Sequence, residues 1–260
     1  MNQSMIWVDT HTHLYSDQFD TDRAEIIAAA QNAGIAKAFL PAIDSGSHTQ
    51  MLDLEEVYPH WAHAMMGLHP CSVKEDFEAE LAIVRNYLDQ RQFVAIGEIG
   101  IDLFWDKTFL DQQVAAFLLQ IKWAKELNLP IVIHSRDATD LIIDLLEREN
   151  DEKLFGIFHC FTGDLRQAQQ IIGLGFHLGI GGVATFKNGG LDAVLPHIDL
   201  KHIVLETDSP YLAPVPYRGK RNETSYIPLI GQRVAELSGK SVEEIASITT
   251  ENAGRVFGGC

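Results

Sequence analysis

The sequence predicts an α/β protein, and more narrowly a (β/α)8 barrel (TIM barrel) with extra C-terminal helices. Three observations predict it. Eight short apolar segments recur along the chain, segments with helical periodicity lie between them, and the 260 residues match the roughly 250 that such a barrel needs. An open doubly wound sheet would instead carry a glycine-rich phosphate turn after its first strand. Here the first strand ends in His-Thr-His.

The eight predicted strands are rich in Ile, Val, Leu and Phe and are bounded by polar residues or glycine. Their almost continuous apolar character is typical of parallel strands that are covered on both faces. In chain order the predicted strands are 6–13, 36–43, 62–69, 93–100, 130–135, 156–161, 176–182 and 203–208.

The segments between these strands carry apolar residues at helical spacing. The clearest predicted helices are 22–33, 109–127, 137–149 and 164–174, and the tail at 225–257 predicts two or three more. Gly34 and Gly175 stand where helix-ending glycines are common. Because no linker or low-complexity segment interrupts the pattern, we expect residues 1–260 to form a single domain.

The charge balance restricts what the protein can bind. Lys and Arg number 20 and Asp and Glu number 36, which gives a net charge of -16. Such a surface repels phosphate groups, so a polyanion would have to be held locally, by metal ions or a few arginines. An odd set of three distant cysteines, Cys71, Cys160 and Cys260, predicts a reducing compartment. With no secretion signal and no membrane-length apolar run, we expect a cytoplasmic protein.

Side chains of the kind that bind metals stand at the ends of five predicted strands. They are His11, His13, Glu98, His134, His159 and Asp208. Catalytic residues of such barrels come from the carboxyl ends of several strands. Because residues i and i+2 of a strand share a face, His11 and His13 project together, whereas Cys160 should face the helices. Four ligands complete one catalytic zinc site, so six ligands predict two divalent ions, with Glu98 as the natural bridge.

Three further polar residues near these positions each allow two interpretations. Asp9 shares the face of His11 one layer deeper, and either fixes a histidine tautomer or fills the barrel. Glu206 either supports the site or pairs with a buried lysine or arginine. His69, at the end of the third strand, either contacts a substrate phosphate or caps the barrel mouth.

Loops at the same end of the predicted barrel carry arginine and aromatic side chains. Arg136, Arg218 and Arg221 could grip phosphate oxygens through their guanidinium groups, or could be ordinary solvated residues. Phe104 and Trp105 could stack on a nucleobase or could simply cover the barrel mouth.

Seven motifs in this order resemble the TatD family, metal-dependent deoxyribonucleases of the amidohydrolase superfamily. They are Val-Asp-Thr-His-Thr-His (8–13), Gly-Leu-His-Pro (67–70), Gly-Glu-Ile-Gly-Ile-Asp (97–102), Ile-His-Ser-Arg (133–136), His-Cys-Phe-Thr-Gly (159–163), Leu-Glu-Thr-Asp-Ser-Pro-Tyr-Leu (205–212) and Arg-Gly-Lys-Arg-Asn-Glu (218–223). The tail at 249–257 also fits. Thr224 stands where the family usually has proline, and Cys71 where it often has histidine. Both departures lie outside the predicted ligand set and bear on substrate preference.

The resemblance implies a ligand set for each ion. One ion would take His11, His13, Glu98 and Asp208, and the other would take Glu98, His134 and His159. It also implies a phosphodiesterase that shortens single-stranded DNA with a hydroxide activated by two Zn, Mn or Mg ions, in which Glu98 and Asp208 are catalytic. The alternatives are a hydrolase of a small-molecule ester, lactone or amide on the same barrel, and a non-catalytic metal-binding scaffold.

Overall fold

The computed structural model describes residues 5–259, and its eight parallel strands close into a ring. The strands are β1 (Trp7–Asp9), β2 (Ile35–Leu40), β3 (Ala62–Ala64), β4 (Ile96–Asp102), β5 (Ile131–Arg136), β6 (Gly156–Phe158), β7 (Phe176–Ile180) and β8 (Ile203–Leu205). They pair in sequence order as β1–β2–β3 and as β4 to β8. Parallel bridges from Met66 to Ile96 and from Thr12 to Ser209 join the two sheets. The predicted (β/α)8 barrel is therefore confirmed.

Within residues 5–259, eight α-helices surround and follow the barrel. They are α1 (Arg23–Asn32), α2 (His48–Val57), α3 (Phe77–Gln90), α4 (Leu110–Leu127), α5 (Thr139–Glu149), α6 (Leu165–Gly173), α7 (Ile227–Ser238) and α8 (Val242–Phe257). Between β7 and β8 the chain forms short 3-10 turns in place of an α-helix. The predicted C-terminal helices are α7 and α8. Among the helices within residues 5–259, none has the length and apolar character that crossing a membrane requires.

The inside of the barrel is filled with apolar side chains below the level of the polar residues. This inner cluster includes Val8, Phe39, Met65, Val132, Ile157 and Val204. Ala253 and Val256 of α8 belong to the same cluster, and the rings of Phe257 and Phe39 stack with centroids 3.9 Å apart. Helix α8 thus closes the bottom of the barrel, so the opposite end, at the carboxyl ends of the strands, is the one that can receive a ligand.

Most of the strands are shorter than the sequence predicts, and this matters for the site. The ladder of β1 ends at Asp9 and that of β8 at Leu205, so the polar residues that follow lie in short extensions beyond the ladder. The two extensions still hold each other, since the His13 amide donates to the Ser209 carbonyl at 2.7 Å. His11, His13 and Asp208 therefore lie beyond the regular ladder at the mouth of the barrel, whereas Glu98 and His134 lie within β4 and β5.

Candidate metal centre

The six predicted ligands converge at the carboxyl end of the barrel. Nε2 of His11 lies 3.1 Å from Oε2 of Glu98 and 3.3 Å from Nε2 of His13. Nε2 of His13 in turn lies 3.5 Å from Oδ1 of Asp208. His11 and Glu98 are buried, although polar side chains are costly to bury without partners. Residues from distant parts of the chain thus present their donor atoms to one small volume.

Glu98 occupies the middle of this cluster. Its Oε2 faces His11 and His13, while its Oε1 lies 2.9 Å from Nδ1 of His134 and 3.7 Å from Nε2 of His159. Burial alone would raise the pKa of Glu98, but the surrounding imidazoles hold it well below its ordinary value. One ionised carboxylate therefore points an oxygen at each of two histidine pairs, which is the arrangement that a bridging ligand requires.

The donor atoms fit divalent metal ions in number and in chemistry. Within residues 5–259, four groups each bring three ligand atoms within 4.8 Å of one another. Two consist wholly of predicted ligands, His11–Glu98–His159 and His11–His13–Asp208, and the others are His69–Glu98–His134 and His159–Cys160–Glu206. Imidazole nitrogens and carboxylate oxygens are the usual ligands of catalytic zinc and related ions. The imidazole rings of His11 and His159 stack with centroids 3.5 Å apart, which brings two nitrogen donors from opposite sides of the barrel together.

The proteins that this chain resembles agree with a cluster of metal-binding side chains. Residues 8–258 match the model of the family described as TatD related DNase. The chain belongs to this family. It is 41% identical to the uncharacterized metal-dependent hydrolase YabD of Bacillus subtilis, over 96% of this chain and 98% of YabD. It is 32% identical to a protein of Pectobacterium parmentieri named 3'-5' ssDNA/RNA exonuclease TatD, over 96% of this chain and 98% of that protein.

A solved structure supports the same assignment. The crystal structure of YjjV, a TatD homolog from Escherichia coli K12, superposes with a TM-score of 0.92 at 29% identity, covering 98% of this chain and 99% of YjjV. Together, the family match, the relatives and the convergent donors show that the protein is a metal-dependent hydrolase of the TatD-related family.

Glu206 supports this TatD-family site by holding His159. Its Oε1 lies 2.9 Å from Nδ1 of His159 and accepts the backbone N–H of Cys160 at 2.5 Å. Burial alone would lower the pKa of His159, yet neighbouring carboxylates, Glu206 foremost, raise it to about 10. A Cβ on Gly179 would stand 2.2 Å from Glu206 Oε2, so this glycine makes room for the carboxylate. Of the two interpretations of Glu206, pairing with a buried lysine or arginine is therefore wrong, because the carboxylate pairs with the imidazole of His159.

The Asp9 carboxylate accepts hydrogen bonds from backbone amides rather than from an imidazole ring. Its Oδ1 accepts the amides of His11 at 3.3 Å and of Thr207 at 2.9 Å, and its Oδ2 accepts the Thr207 hydroxyl at 2.5 Å. Burial raises the pKa of Asp9 to about 7. Within residues 5–259 no hydrogen bond joins Asp9 to a histidine ring, so the interpretation that it fixes a tautomer is wrong. It ties together the extensions of β1 and β8, which carry His11 and Asp208.

Tyr15 is a supporting residue that the sequence does not reveal. Its hydroxyl donates to the Pro41 carbonyl at 2.5 Å and lies 2.8 Å from Nδ1 of His13. Because the only hydroxyl proton is used on Pro41, Nδ1 of His13 must be the donor in the second contact. The lone pair of Nε2 then faces Glu98 and Asp208, as metal binding requires.

Asp102 is a second residue outside the predicted set. Its Oδ2 lies 2.9 Å from Nε2 of His134, and its Oδ1 accepts the amides of Phe104 and Trp105 at 2.9 and 3.0 Å. A signal for it exists, because Asp102 lies four residues after Glu98 and alternation in β4 puts both on one face. The predicted strand ended at residue 100, two residues short of it.

A cavity of about 1280 Å³ opens above the metal-type cluster, and three of the predicted substrate-binding residues line it, namely His69, Arg136 and Arg218. Nδ1 of His69 accepts the amide of Cys71 at 3.0 Å, so the proton of a neutral ring is on Nε2. Burial keeps the pKa of His69 below its ordinary value, so the neutral form prevails. His69 therefore points an N–H donor toward Glu98.

Arg221, the fourth predicted substrate-binding residue, is not brought to the cavity lining. Its guanidinium donates to both oxygens of Asp22, at 2.9 and 2.5 Å, and lies over the ring of Phe19 at 4.6 Å from the centroid. The Asp22 carboxylate, just before α1, thus occupies the N–H donors of Arg221 that a phosphate would need.

Cys160 also departs from expectation, because it lines the cavity instead of facing the helices. Strand β6 ends at Phe158, and Cys160 has a φ of 46°. A left-handed residue breaks the alternation of side chains, so the rule that applies inside a strand no longer holds there.

Proposed function

We propose that the protein is a metal-dependent nuclease that hydrolyses phosphodiester bonds of single-stranded DNA from a strand end. The observation that supports it most is the convergence of four histidines and the Asp208 carboxylate around Glu98 at the floor of an open cavity. The name of the Pectobacterium relative, an exonuclease of single-stranded DNA and RNA, points to the same class of substrate.

Two divalent ions, of zinc, manganese or magnesium, would be held by the predicted ligands. The first would be bound by His11, His13, Glu98 and Asp208, and the second by Glu98, His134 and His159. When bound, such ions supply Lewis acidity toward phosphate oxygens and lower the pKa of water. Their positive charge also offsets the net charge of -16, which would otherwise repel a polyanion.

Asp208 is the proposed proton acceptor for the attacking water. Burial alone would raise its pKa, but the imidazoles of His159 and His13 hold it below its ordinary value, so the carboxylate is ionised at neutral pH. It lines the cavity and its side chain is partly exposed, unlike that of Glu98. An ionised carboxylate at the cavity floor can orient a water molecule and accept its proton while the water attacks phosphorus.

Phosphate binding is assigned to His69, Arg136 and Arg218. The Nε2–H of His69 is a donor at the cavity floor, as derived from its contact with Cys71. Arg136 and Arg218 take part in no ion pair within the part of the chain that the structure describes, and both line the cavity. Guanidinium groups without a carboxylate partner can each donate two hydrogen bonds to a phosphate.

The size of the cavity favours a polymer over a small ester, lactone or amide. Small-molecule sites commonly enclose about 300–1,000 Å³. The cavity here reaches about 1280 Å³ and is open to solvent along the loops after β5, β7 and β8. A strand of several nucleotides can enter such an opening and present a terminal phosphodiester to the cluster.

A reconstitution experiment tests the proposal. The protein is stripped of metal and restored with Mg²⁺, Mn²⁺ or Zn²⁺, and is then given a 5′-labelled single-stranded oligonucleotide. We expect stepwise shortening by the native protein and by Glu152→Ala, which changes an exposed carboxylate far from the cavity. Glu98→Ala should abolish shortening and reduce the bound metal. A native protein that binds two ions per chain and shortens no strand would contradict the proposal.

A further inference from the structure

The cavity rim carries an exposed aromatic surface next to a guanidinium group that has no ion-pair partner within residues 5–259. We call Phe104, Trp105 and Arg136 the aromatic ledge. We propose that the aromatic ledge stacks on the nucleobase beside the scissile phosphate and so selects unpaired nucleic acid strands. This inference rests on the proposed nuclease function and names the part of the substrate that this rim recognises.

Trp105 is the first observation. It is 70% exposed and lines the cavity, whereas Trp7, Trp61 and Trp123 are 1%, 6% and 8% exposed. Phe104 beside it is 50% exposed. Neighbouring exposed aromatic rings keep apolar surface in water, which is a common mark of a binding site. Had Trp105 served to cover the barrel mouth, packing would have buried most of its ring.

The second observation is that the aromatic ledge is held in place before any ligand arrives. Asp102 Oδ1 accepts the amides of both Phe104 and Trp105. The Arg136 guanidinium lies 4.0 Å from the Phe104 ring centroid and 5.5 Å from that of Trp105, while the two rings meet edge to face at 4.9 Å. Such ordering lowers the entropy lost when a ligand binds.

The third observation is the charge of Arg136. Most arginines within residues 5–259 form an ion pair with a carboxylate, whereas the Arg136 guanidinium forms none there and lies over these two rings. In a protein of net charge -16, an unpaired guanidinium on the cavity wall favours an anionic ligand. Stacked aromatic rings beside a phosphate-binding cation form the combination that recognises single strands, because every base has a π face.

The position of the aromatic ledge determines which base it would contact. Asp102 joins it directly to the candidate metal centre, since Oδ2 of the same carboxylate lies 2.9 Å from Nε2 of His134. Arg136 follows His134 by two residues at the end of β5. A base on the aromatic ledge therefore belongs to a nucleotide adjacent to the phosphate at the cluster. Bases of a duplex are already stacked and paired, so an unpaired strand is the form that fits.

Kinetics with two matched substrates test the inference. One is a single-stranded oligonucleotide, and the other has the same length with abasic residues at the end that is degraded. We expect Trp105→Ala to raise KM for the strand with bases about tenfold or more, with little change in kcat. KM for the abasic strand should stay within about twofold, and Trp105→Phe should recover most of the loss. Val57→Ala, which removes an equally exposed apolar side chain outside the cavity, should change neither substrate.

Tryptophan fluorescence gives an independent measurement, because Trp105 is the exposed tryptophan. The strand with bases should protect it from acrylamide quenching, and the abasic strand should not. If both strands are shortened and Trp105→Ala affects them equally, the inference is overturned while the nuclease proposal stands. If no strand is shortened but the base-bearing strand alone protects Trp105, base binding stands and the nuclease proposal fails. If neither effect occurs, both fail.

Discussion

The imidazole of His134 lies between two carboxylates, and Asp102 holds its outer nitrogen. Nε2 of His134 is 2.9 Å from Oδ2 of Asp102, while its Nδ1 is 2.9 Å from Oε1 of Glu98. Burial alone would raise the pKa of Asp102, but His134 and the backbone N–H of Trp105 hold it below its ordinary value. Asp102 is therefore an ionised anchor that orients a predicted metal ligand from the side away from Glu98.

Asp102→Asn tests this anchoring. The amide keeps the size of the side chain but removes the charge opposite His134. Loss of such an outer partner typically weakens metal affinity or activity by about 10–100-fold, and we expect that range for Zn²⁺ or Mn²⁺ binding measured by calorimetry. Asp106→Asn is the matched control, since Asp106 lies on the same loop and pairs with the half-buried Lys74 instead of a histidine. Equal metal affinity in the two variants would show that Asp102 does not orient His134.

Gly179 and Gly173 provide a second pair of matched variants. A Cβ on Gly179 would stand 2.2 Å from Oε2 of Glu206, whereas nothing lies within 4 Å of a Cβ on Gly173. Forcing atoms into a packed interior costs about 1–3 kcal/mol, so Gly179→Ala should lower the free energy of unfolding by that amount and disturb the contact of Glu206 with His159.

Gly173→Ala should be neutral or stabilise the protein by about 0.4–1 kcal/mol, because Gly173 lies in α6 with open space around it. Urea unfolding measures both variants. Equal stability of the two would mean that Gly179 is not required by the carboxylate of Glu206.

Periodicity predicted the barrel well because apolar strands that alternate with amphipathic helices bury the same kind of surface in every repeat. Periodicity was less accurate for the residue at which each strand ends. The predicted first strand runs through residue 13, yet β1 ends at Asp9. Beyond Asp9 the amides of Thr10 and His13 donate to Leu205 and Ser209, on the side of β8, and Thr12 alone of the three donates to β2, at Phe39. Strand ends depend on such long-range partners.

The convergence of the six proposed ligands could be predicted from the sequence because their residue types are rare at strand ends and fall at matching positions. Two residues show what could not be found. Arg221 binds Asp22, which is 199 positions away in the chain, so no local sequence pattern predicts the pair. Cys160 faces the cavity because its φ of 46° ends the alternation of β6. Both outcomes depend on the path of the backbone, which the periodicity of the side chains does not predict.

Tyr15→Phe should weaken metal binding without unfolding the protein. The hydroxyl links Nδ1 of His13 to the Pro41 carbonyl, and its removal leaves both groups without that partner. The His13 ring then loses the contact that directs Nε2 into the cluster, and we expect about tenfold weaker metal binding by calorimetry. In Tyr58→Phe the deleted hydroxyl makes no hydrogen bond within residues 5–259, so this control should bind metal normally. A Tyr15 variant with native affinity would refute this role.

Cys71 should resist alkylation although it lines the cavity. Burial, followed by the nearby Asp102 carboxylate, raises the pKa of its thiol to about 12. Since only the thiolate is nucleophilic, and an ordinary cysteine has a pKa of about 8.5, the reactive fraction at pH 8 should be lower by about 10³. Mass spectrometry of the Cys71 peptide after timed treatment with iodoacetamide measures the rate. Protein unfolded in guanidinium should react at the rate of a free thiol, which serves as the internal reference. Rapid alkylation of Cys71 in the folded protein would mean that the cavity stabilises the thiolate, opposite to the effect expected from burial and Asp102.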